Sequence, residues 1–517
     1  AQSDPAGPIP AAQTEHRWCA VTSFAAEPAD ILARLATLRE ADAPTHGGHV
    51  LSYVYDPGMA ELDELAAAAI RMLQPVNGLD PTTFTSVAVL EREVIGFSRG
   101  ILHGDSDVVG TVTSGGTESC LLAVKTARDN WRAGGGRGVP RLLAPVTVHA
   151  AFRKAVHYFG LDIDLVPVDA VTGAVRADDL VARAGDDVAI VVVSAPCYPY
   201  AALDPVGEVA AACLERGIHC HVDACVGGWV LPWISGLPAW DFGVPGVSSL
   251  SADLHKYGYA PKGASVLLQR GRDRQRAQYF ATTSWPGYPV VNPTMLGSKS
   301  AGALAAAWAI IQALGAEGFG SLAASCQRST ESLVSVVSSI DGLRVVGSPV
   351  GPLFAVAVDD AVPTERQVDP HHWADQVRTH GWFLQLQPGL VQGDGTRLPH
   401  TTHLTITPVT EGVLRELTEA LVQAADEVRG VPTVSAAQAL AALPVEALAG
   451  LSSPGAAALD SDTAYALLAG IGLARTSDAG APLPDRMAPI LALVEALPAQ
   501  LTERLLTELL ARLIEPA

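Results

Sequence analysis

Positive charge is scarce in this chain, and lysine is the scarcest source of it. The 517 residues include 34 lysines and arginines against 54 aspartates and glutamates, for a formal net charge of -20. Such a surface repels the phosphate backbone of nucleic acids and anionic lipid headgroups. We therefore expect neither a nucleic-acid partner nor a membrane-surface role. Local donors and helix ends can still bind a small anion.

Long apolar runs and a cysteine framework are also missing. No stretch of about 18 uninterrupted apolar residues predicts a membrane span. Residues 1–13 lack the basic start and apolar stretch of a secretory signal. The seven cysteines are odd in number and scattered, which favours reduced thiols over disulfides and predicts a cytoplasmic location.

Residues 219–225 contain two histidines, two cysteines and an aspartate, but their spacing fits no usual zinc pattern. If this segment is a strand, His221 and Asp223 point to one face and Cys220 points to the other. We therefore predict no metal site.

From about residue 109 to 268, short β-branched runs alternate with stretches of helical character. The predicted strands cover residues 108–112, 146–148, 189–193, 218–222, 248–252 and 264–268, and the predicted helices cover 118–131, 152–159, 177–184 and 206–216. This alternation argues for a mostly parallel sheet covered on both faces. The ligand of such a sheet lies outside the carboxyl ends of the strands, so the loops there are the expected place for chemistry.

The rest of the chain predicts three further parts around this large domain, which we place at 96–315. Residues 1–95 form an amino-terminal arm with helices, one of them at 28–40, that makes dimer contacts. Two helices, at 300–314 and 319–340, lead into a smaller α+β domain at 316–432. The predicted strands of that domain are at 343–346, 353–358, 383–386 and 403–407, and its helices at 371–380 and 411–429. Residues 433–517 form an extension with leucines at helical spacing.

The chain contains only five lysines: Lys125, Lys154, Lys256, Lys262 and Lys299. Lys256 follows the predicted strand at 248–252, where a site is expected, and His255 precedes it. A lysine that forms a Schiff base must be desolvated or lie near other positive charge, because its amine has to lose a proton near neutral pH. Lys125 lies within a predicted helix and is interpreted as a solvated surface group.

The segment 113–119, Thr-Ser-Gly-Gly-Thr-Glu-Ser, lies between a predicted strand and a predicted helix. Gly115 and Gly116 let the backbone approach an anion, and the helix start offers free N–H groups and its positive dipole end. Ser114, Thr117 and Ser119 add hydroxyls. An ordinary helix cap is the alternative. The segment lacks the lysine of a Walker A loop and the third glycine of the dinucleotide pattern.

Asp223 and His149 end two further predicted strands. A buried carboxylate needs a partner, since a lone buried charge is costly. The protonated nitrogen of a pyridine ring would satisfy Asp223; a cap on the next turn is the alternative. For His149 the two interpretations are stacking on such a ring and a satisfied core histidine.

In this order the motifs resemble those of the group II pyridoxal-phosphate (PLP)-dependent decarboxylase family. They are Thr-Ser-Gly-Gly-Thr-Glu-Ser, His-Ala-Ala-Phe-Arg-Lys-Ala from 149, Ser-Ala-Pro from 194, His-Val-Asp-Ala-Cys-Val-Gly-Gly from 221 and Asp-Leu-His-Lys-Tyr-Gly-Tyr-Ala-Pro-Lys-Gly from 253. The last two are most similar to the sphingosine-1-phosphate lyase branch. The resemblance covers roughly residues 48–429. It implies the PLP-dependent transferase-like fold of type I, an α/β fold with a mostly parallel seven-stranded sheet, and a homodimer with shared active sites.

The resemblance also implies residue roles. Lys256 would carry PLP covalently, Asp223 would pair with its pyridinium nitrogen, and His149 would stack on its ring; Lys256, Tyr55 and His149 would be the catalytic residues. The other cofactor-binding residues would be Ser114, Gly115, Gly116, Thr117, Ser194 and His255, with Gly297 and Ser298 reaching the phosphate from the other subunit. On the substrate side the implied residues are Tyr55, Lys262 and Asp80. Lys262 would hold a substrate phosphate, and Asp80 stands where the lyase branch has a histidine.

Three functions remain open on this basis. The first is a PLP-dependent carbon–carbon lyase that cleaves the Cα–Cβ bond of a β-hydroxy amine, phosphorylated or not, to an aldehyde and an amine. Tyr55 or Lys256 would carry the proton. The second is an L-amino-acid decarboxylase with the same cofactor residues, so a small amine or amino acid is the expected partner of either enzyme. The third is a non-catalytic dimer that only binds PLP.

Overall fold

The computed structural model describes residues 25–434, 459–470, 473 and 485–516. Residues 1–44 form a separate unit, in which the predicted helix is present as α1 (Pro28–Arg39). The elements described below belong to the second unit, residues 45–517.

Two amphipathic helices precede the sheet in this unit: α2 (Ala60–Leu73) and α3 (Thr85–Ile101). The buried face of α3 includes Val87 and Val94. This helix passes residue 95 without a break, so the predicted boundary between the arm and the large domain falls inside a helix.

Seven strands form the central sheet. They are β1 (Val108–Thr113), β2 (Arg141–Pro145), β3 (Asp162–Val166), β4 (Val188–Ser194), β5 (His219–Asp223), β6 (Ser249–Ala252) and β7 (Ser265–Arg270). Their order is β1-β7-β6-β5-β4-β2-β3. Strands β2 to β6 are parallel, and β7 is antiparallel to both of its neighbours. The predicted mostly parallel seven-stranded fold is confirmed.

Helices cover this sheet because its strands are apolar on both faces. The covering helices are α4 (Gly116–Ala133), α5 (Ala150–Phe159), α6 (Ala177–Val181) and α7 (Val206–Arg216). All residues of β4, Val-Ala-Ile-Val-Val-Val-Ser, are buried, as expected for a central parallel strand. Its carboxyl end and those of β2 and β5 open onto the same edge of the sheet.

One predicted strand is wrong. Residues 146–148 form a turn, and the strand before them is β2. Its first residue, Arg141, looks like a loop residue in the sequence. In the structure its guanidinium pairs with Asp164 at 2.6 Å and Asp187 at 2.9 Å. These two carboxylates compensate the charge of Arg141 at the first position of β2. The sequence analysis also missed β3, which begins Asp-Ile-Asp.

Beyond the sheet come α8 (Arg272–Arg276), the hairpin of β8 (Phe280–Thr282) and β9 (Val290–Asn292), and the long helix α9 (Gly302–Ser339). Gly315 has a non-helical backbone, with φ 54°, so it divides α9 where the sequence predicts two helices. Among the described residues, only α9 is long and apolar enough to cross a membrane, and 44% of the qualifying window is buried in the protein. Buried core helices pass the same test.

The small domain has an antiparallel sheet in the order β10 (Leu343–Val345), β11 (Leu353–Val358), β15 (Thr401–Thr405), β12 (Gln385–Gln387). Helices α10 (Pro370–Thr379) and α11 (Thr410–Val428) pack beside it. A separate two-stranded hairpin joins β13 (Leu390–Val391) to β14 (Arg397–Leu398). The α+β character expected of this region is present.

The described part of the carboxyl-terminal extension is helical, as its leucine spacing predicts. It contains α12 (Ser461–Gly470), α13 (Ala488–Ala496) and α14 (Ala499–Leu513), which share an apolar cluster. Six of the seven cysteines are free, buried thiols, and Cys19 lies outside the described residues. The four-part division of the chain stays a prediction.

Candidate active site

A cavity of about 900 Å³ lies at the carboxyl ends of the sheet strands. Loops after β1, β2, β4, β5 and β6 line it, together with the segment 385–398 of the small domain. The predicted residues that line it are Tyr55, Ser114, Gly115, Gly116, Thr117, His149, Ser194, Asp223, His255, Lys256 and Lys262. The structure therefore brings together residues that are up to 207 positions apart in the chain.

The glycine loop ends at the first turn of α4, as a phosphate cradle requires. The first helical hydrogen bond runs from Ser119 N to Gly115 O at 3.0 Å. The preceding N–H groups, including those of Gly116 and Thr117, are left at the positive end of the helix. Ser114 N donates to Glu118 Oε2 at 2.6 Å and closes the loop. The loop is thus preorganised for an anion.

Ser119 does not add a hydroxyl to this cradle. Its Oγ lies 2.7 Å from Thr113 Oγ1 and 2.9 Å from Ser265 Oγ, and the residue is fully buried. These bonds fasten α4 to β1 and β7. The expectation that Ser119 faces the anion is wrong, because it points to the sheet side of the helix.

Lys256 forms an ion pair that the sequence analysis did not anticipate. Its Nζ lies 3.0 Å from Asp253 Oδ2, and the Asp253 side chain is almost completely buried. Burial alone lowers the pKa of the Lys256 amine, but the carboxylate outweighs it, so the pKa stands well above its ordinary value. This is the reverse of the lowered pKa expected from the sequence. Asp253 therefore holds the amine as an ammonium, positioned in the cavity.

Asp223 is the last residue of β5 and lies buried beside the cavity. One carboxylate oxygen, Oδ1, accepts from Cys225 N at 3.1 Å. His149 is the N-cap of α5 rather than the end of a strand, and its Nδ1 accepts from Ala151 N at 3.2 Å. This bond fixes the orientation of the imidazole while its exposed ring borders the cavity. Both side chains are thus held by local backbone groups.

Two thiols lie behind Asp223. Among the described residues, the potential ligand atoms of Cys120, Asp223 and Cys225 lie within 4.8 Å of one another. Hydrogen bonding to Cys120 and burial hold the pKa of the Cys225 thiol well above its ordinary value. The two thiols therefore pack against each other as protonated groups behind the Asp223 carboxylate.

Tyr55 and Lys262 form one corner of the cavity. Lys262 Nζ lies 4.9 Å above the Tyr55 ring and donates to Tyr53 O and His255 O, both at 3.1 Å. Burial and the charge of Lys256 lower the pKa of Lys262 to about 8. Burial also raises the pKa of Tyr55, although the positive charge of Lys256 opposes it. At neutral pH this corner therefore offers a phenol that keeps its proton.

Three predicted residues do not line the cavity of their own chain. Gly297 and Ser298 are exposed on the segment before α9. Asp80 uses its carboxylate to accept from the hydroxyls of Thr82 and Thr83, which lowers its pKa to about 2. Asn77 Nδ2 donates to Ser298 Oγ at 3.3 Å and so joins the two loops. The roles of these residues stay predictions.

Several cavity residues were not predicted from the sequence. Asp253 stands within the quoted lysine motif, and a buried acid three residues before the lysine is the signal that could have identified it. The others belong to the small domain or lie near it: Tyr53, Tyr198, Gln385, Leu386, Gln387, Pro388, Leu390 and Leu398. No local pattern marks them, because they reach the site only through domain packing.

PLP fits this cavity feature by feature. Asp253 Oδ1 and His255 Nδ1 are buried without a hydrogen-bond partner among the described residues. Four groups match the parts of PLP: the partly buried Lys256 its aldehyde, the carboxylate at the end of β5 its ring nitrogen, the exposed His149 imidazole its ring face, and the glycine-rich start of α4 its phosphate. The residues present therefore suit this cofactor.

Comparison with known proteins also indicates that PLP is the cofactor. Residues 85–349 match the family model described as pyridoxal-dependent decarboxylase conserved domain. The chain belongs to this family. Its members depend on PLP, which makes PLP the cofactor of this protein. Residues 434–512 match a second model, described as pyridoxal-dependent enzyme, C-terminal putative HTH domain.

Relatives in this family include sphingosine-1-phosphate lyases. The chain is 34% identical to the lyase of Dictyostelium discoideum over 354 residues, which are 68% of this chain and 63% of that protein. It is 33% identical over 314 residues to a probable L-tyrosine/L-aspartate decarboxylase of Methanothrix thermoacetophila, covering 60% of this chain and 78% of that protein. The chain thus spans less than two thirds of the D. discoideum lyase.

A solved structure of a sphingosine-1-phosphate lyase from Burkholderia pseudomallei is similar along most of its length. Its TM-score is 0.72 at 32% identity, covering 80% of this chain and 94% of that one. Glutamate decarboxylase from Lactobacillus brevis shares the fold, with a TM-score of 0.69 at 20% identity, over 79% of this chain and 94% of that one. The similarity to the lyase structure includes both the large and the small domain.

Gly116 has no room for a side chain beside Asp253. A Cβ there would lie 2.6 and 2.8 Å from the two carboxylate oxygens of Asp253. We expect Gly116→Ala to lower the free energy of unfolding by roughly 1–3 kcal/mol, the usual cost of overpacking. We also expect PLP binding to weaken by about tenfold or more, since a shift of about 1.4 kcal/mol is a factor of ten. Denaturant unfolding and titration of the visible cofactor absorption measure the two effects.

Gly96→Ala is the matched control. Gly96 lies within α3, and a Cβ there has no heavy atom within 4 Å. This variant should keep its cofactor affinity and gain up to about 1 kcal/mol, since alanine favours the helix. Equal losses in the two variants would contradict the crowding argument.

Proposed function

We propose that this protein is a PLP-dependent carbon–carbon lyase that cleaves the Cα–Cβ bond of a β-hydroxy amine to an aldehyde and an amine. The observation that supports it most is the pairing of Tyr55 and Lys262 at one corner of a cavity that also contains Lys256, Asp223 and His149. The similarity to sphingosine-1-phosphate lyases points to the same reaction class.

Bound PLP would supply the electron sink for the carbon–carbon bond that breaks. The chain's own residues would hold and move protons around that bond. Tyr55 keeps its proton because burial raises its pKa, so it suits a hydrogen-bond donor to the departing oxygen better than a base. The Lys256 amine, once it has lost its proton, is then the candidate base for the β-hydroxyl. Asp253 and His149 would orient the groups on either side.

The apolar part of the cavity indicates the kind of amine. Pro196, Tyr198, Leu390 and Leu398 are among the residues that line it, and burying apolar surface contributes roughly 25 cal/mol per Å². An amine with an apolar chain would therefore bind there. Lys262 would meet a phosphate on that amine.

Product analysis of the holoenzyme tests this function. β-Hydroxy amines of different chain length and L-amino acids serve as the substrate panel. An aldehyde together with an amine supports the lyase. Carbon dioxide with an amine would support the decarboxylase alternative, which the Methanothrix relative suggests. Neither product from a broad panel would favour the non-catalytic PLP-binding dimer.

The charge of Lys262 predicts a pH-dependent preference for phosphorylated amines. Its pKa of about 8 means that the ammonium is charged below about pH 8 and neutral above it. We expect the affinity ratio of a phosphorylated amine to its unphosphorylated counterpart to fall by roughly fivefold to tenfold between about pH 7 and 9, because a charge-assisted contact is lost. Taking the ratio cancels the titrations that both ligands share. Lys262→Met should abolish the trend, and a trend unchanged in that variant would assign the phosphate site elsewhere.

We further propose that the enzyme is a homodimer with shared active sites. Gly297, Ser298 and Asp80 lie outside the cavity of their own chain, as residues directed to a partner would. The surrounding segment exposes large apolar side chains: Phe280, Trp285, Tyr288, Val291, Met295 and Leu296. Exposed apolar side chains that are concentrated in one segment favour an interface, and the mass of the holoenzyme in solution tests it. The cytoplasmic location stays a prediction.

A further inference from the structure

The hairpin at residues 388–398, which carries β13 and β14, forms one wall of the active-site cavity. Pro388, Leu390 and Leu398 all face that cavity. The two strands have only two residues each and pair with no other strand among those described. An isolated two-stranded hairpin is marginally stable in water. Its position therefore depends on the groups that hold it from outside.

One attachment fastens the hairpin to the large domain. Gln392 is buried, and its side chain bonds to both backbone groups of Val168: Oε1 accepts from Val168 N at 2.8 Å, and Nε2 donates to Val168 O at 2.9 Å. Val168 follows β3. This pair of bonds holds the turn side of the hairpin.

The second attachment comes from the carboxyl-terminal extension. Glu495 in α13 accepts from Gly389 N at 2.9 Å through Oε1, and its Oε2 forms an ion pair with the Arg397 guanidinium. Gly389 and Arg397 lie on the two arms of the hairpin. The Glu495 side chain is only 12% exposed and that of Arg397 is 54% exposed, so solvent screens the pair mainly from the arginine side. One carboxylate thus holds both arms.

The helix that carries Glu495 is itself anchored. Asp375 of α10 accepts from Met487 N at 2.8 Å and from Ala488 N at 2.9 Å, at the amino-terminal end of α13. A carboxylate there satisfies free N–H groups and the positive end of the helix. Since α13 rises about 1.5 Å per residue, Glu495 stands roughly 10 Å from this anchor. The helix therefore spans from the small domain to the hairpin.

We propose that the carboxyl-terminal extension belongs to the substrate site, with Glu495 as a positioning residue that sets the cavity wall of Pro388, Leu390 and Leu398 against the apolar chain of the amine. Glu495 touches neither cofactor nor substrate; it acts through Gly389 and Arg397. The identity of the substrate as an apolar amine rests on the proposed function, whereas the coupling of the extension to the wall does not.

Glu495→Gln in the full-length holoenzyme tests the proposal. The amide keeps an acceptor for Gly389 N but loses the ion pair. We expect faster hydrogen exchange in a peptide covering 388–398. We also expect the dissociation constant of a long-chain amine, followed by the visible cofactor absorption, to rise by about fivefold or more, as loss of a charged hydrogen bond implies. A short-chain amine with the same head group should change by less than about twofold, since it does not reach the wall. Arg397→Gln should reproduce both effects from the other side of the pair.

Glu508→Gln is the matched control. Glu508 is in the same extension, but its partners Ser461, Arg504 and Arg512 all lie within that extension. The Glu508→Gln variant should leave hydrogen exchange at 388–398 and the dissociation constants of both amines unchanged. Unchanged exchange at 388–398 in Glu495→Gln and Arg397→Gln would overturn the proposal. So would equal losses for the long and short amines, or the same effects from Glu508→Gln. β-Hydroxy amines that bind without forming an aldehyde would refute the lyase function and leave this coupling standing.

Discussion

Lys256→Ala is expected to remove covalent cofactor attachment and to lower turnover by about 10³-fold or more, equivalent to about 4 kcal/mol of transition-state stabilisation. Two lysines, Lys256 and Lys262, line the cavity with Asp223 and His149. Lys262 donates to Tyr53 O and His255 O, whereas the partner of the Lys256 amine is the Asp253 carboxylate, so Lys256 is the lysine expected to carry the cofactor. Borohydride reduction followed by peptide mapping identifies the attached lysine, and product formation measures turnover.

This variant also removes the cation 3.0 Å from the buried Asp253, and an uncompensated buried charge is destabilising. Lys256→Arg separates the two effects. It keeps a positive charge near Asp253 but has no primary amine, so it should stay folded and still lose attachment and turnover. Lys154→Ala changes a lysine whose ammonium lies over the Tyr158 ring and should behave as the unchanged protein. Attachment at Lys262, or activity retained in either Lys256 variant, would refute the site assignment.

Asp223→Asn is expected to lower turnover by about 10²-fold or more with little loss of stability. Asparagine can still accept from Cys225 N through its side-chain oxygen, so the local structure is kept. It carries no negative charge, and therefore no longer favours the protonated ring nitrogen that makes PLP a strong electron sink. Steady-state turnover and the visible absorption of the holoenzyme report the change. Asp223→Glu should recover part of the activity.

The control for this prediction is Asp241→Asn. Asp241 is also a buried acid, but its partner is His103 Nδ1 at 2.7 Å and it does not line the cavity. Losing that pair should lower stability and leave the cofactor spectrum unchanged. If Asp223→Asn keeps the turnover of the unchanged protein, Asp223 is a turn cap rather than the partner of the ring nitrogen.

The pKa of Lys256 depends on the neighbouring Asp253 carboxylate rather than on burial alone. From the sequence, a reactive lysine is expected to have a lowered pKa, yet Asp253 raises it. A buried acid and a buried ammonium stabilise each other, because each compensates the desolvation of the other. Gly116 makes this possible, since only a residue without a Cβ fits beside the Asp253 carboxylate. The glycine loop thus leaves room for the carboxylate that pairs with Lys256, in addition to offering N–H groups to the phosphate.

The local sequence pattern was sufficient to predict the strands whose following loops carry the site residues. The predicted and observed bounds of strands β4, β5, β6 and β7 differ by at most two residues. Strand β2 was placed wrongly because the β-branched run at 146–148 suggested a strand, whereas the observed strand begins with Arg141, whose charge is paired with Asp164 and Asp187. Charges that are compensated across the sheet cannot be recognised from neighbours in the chain.

By itself the sequence determined the mostly parallel sheet and the glycine loop before α4, through short periodic runs and the turn between them. The resemblance of its motifs implied Lys256, Asp223 and His149 as site residues, and the structure places all three at one cavity. Only the tertiary structure decided that the hairpin at 388–398 closes the cavity and that Glu495 of the extension holds this hairpin. These contacts join segments that are far apart in the chain; Gly389 and Glu495 are separated by 106 positions. Packing between domains sets them, and no local pattern of residues encodes it.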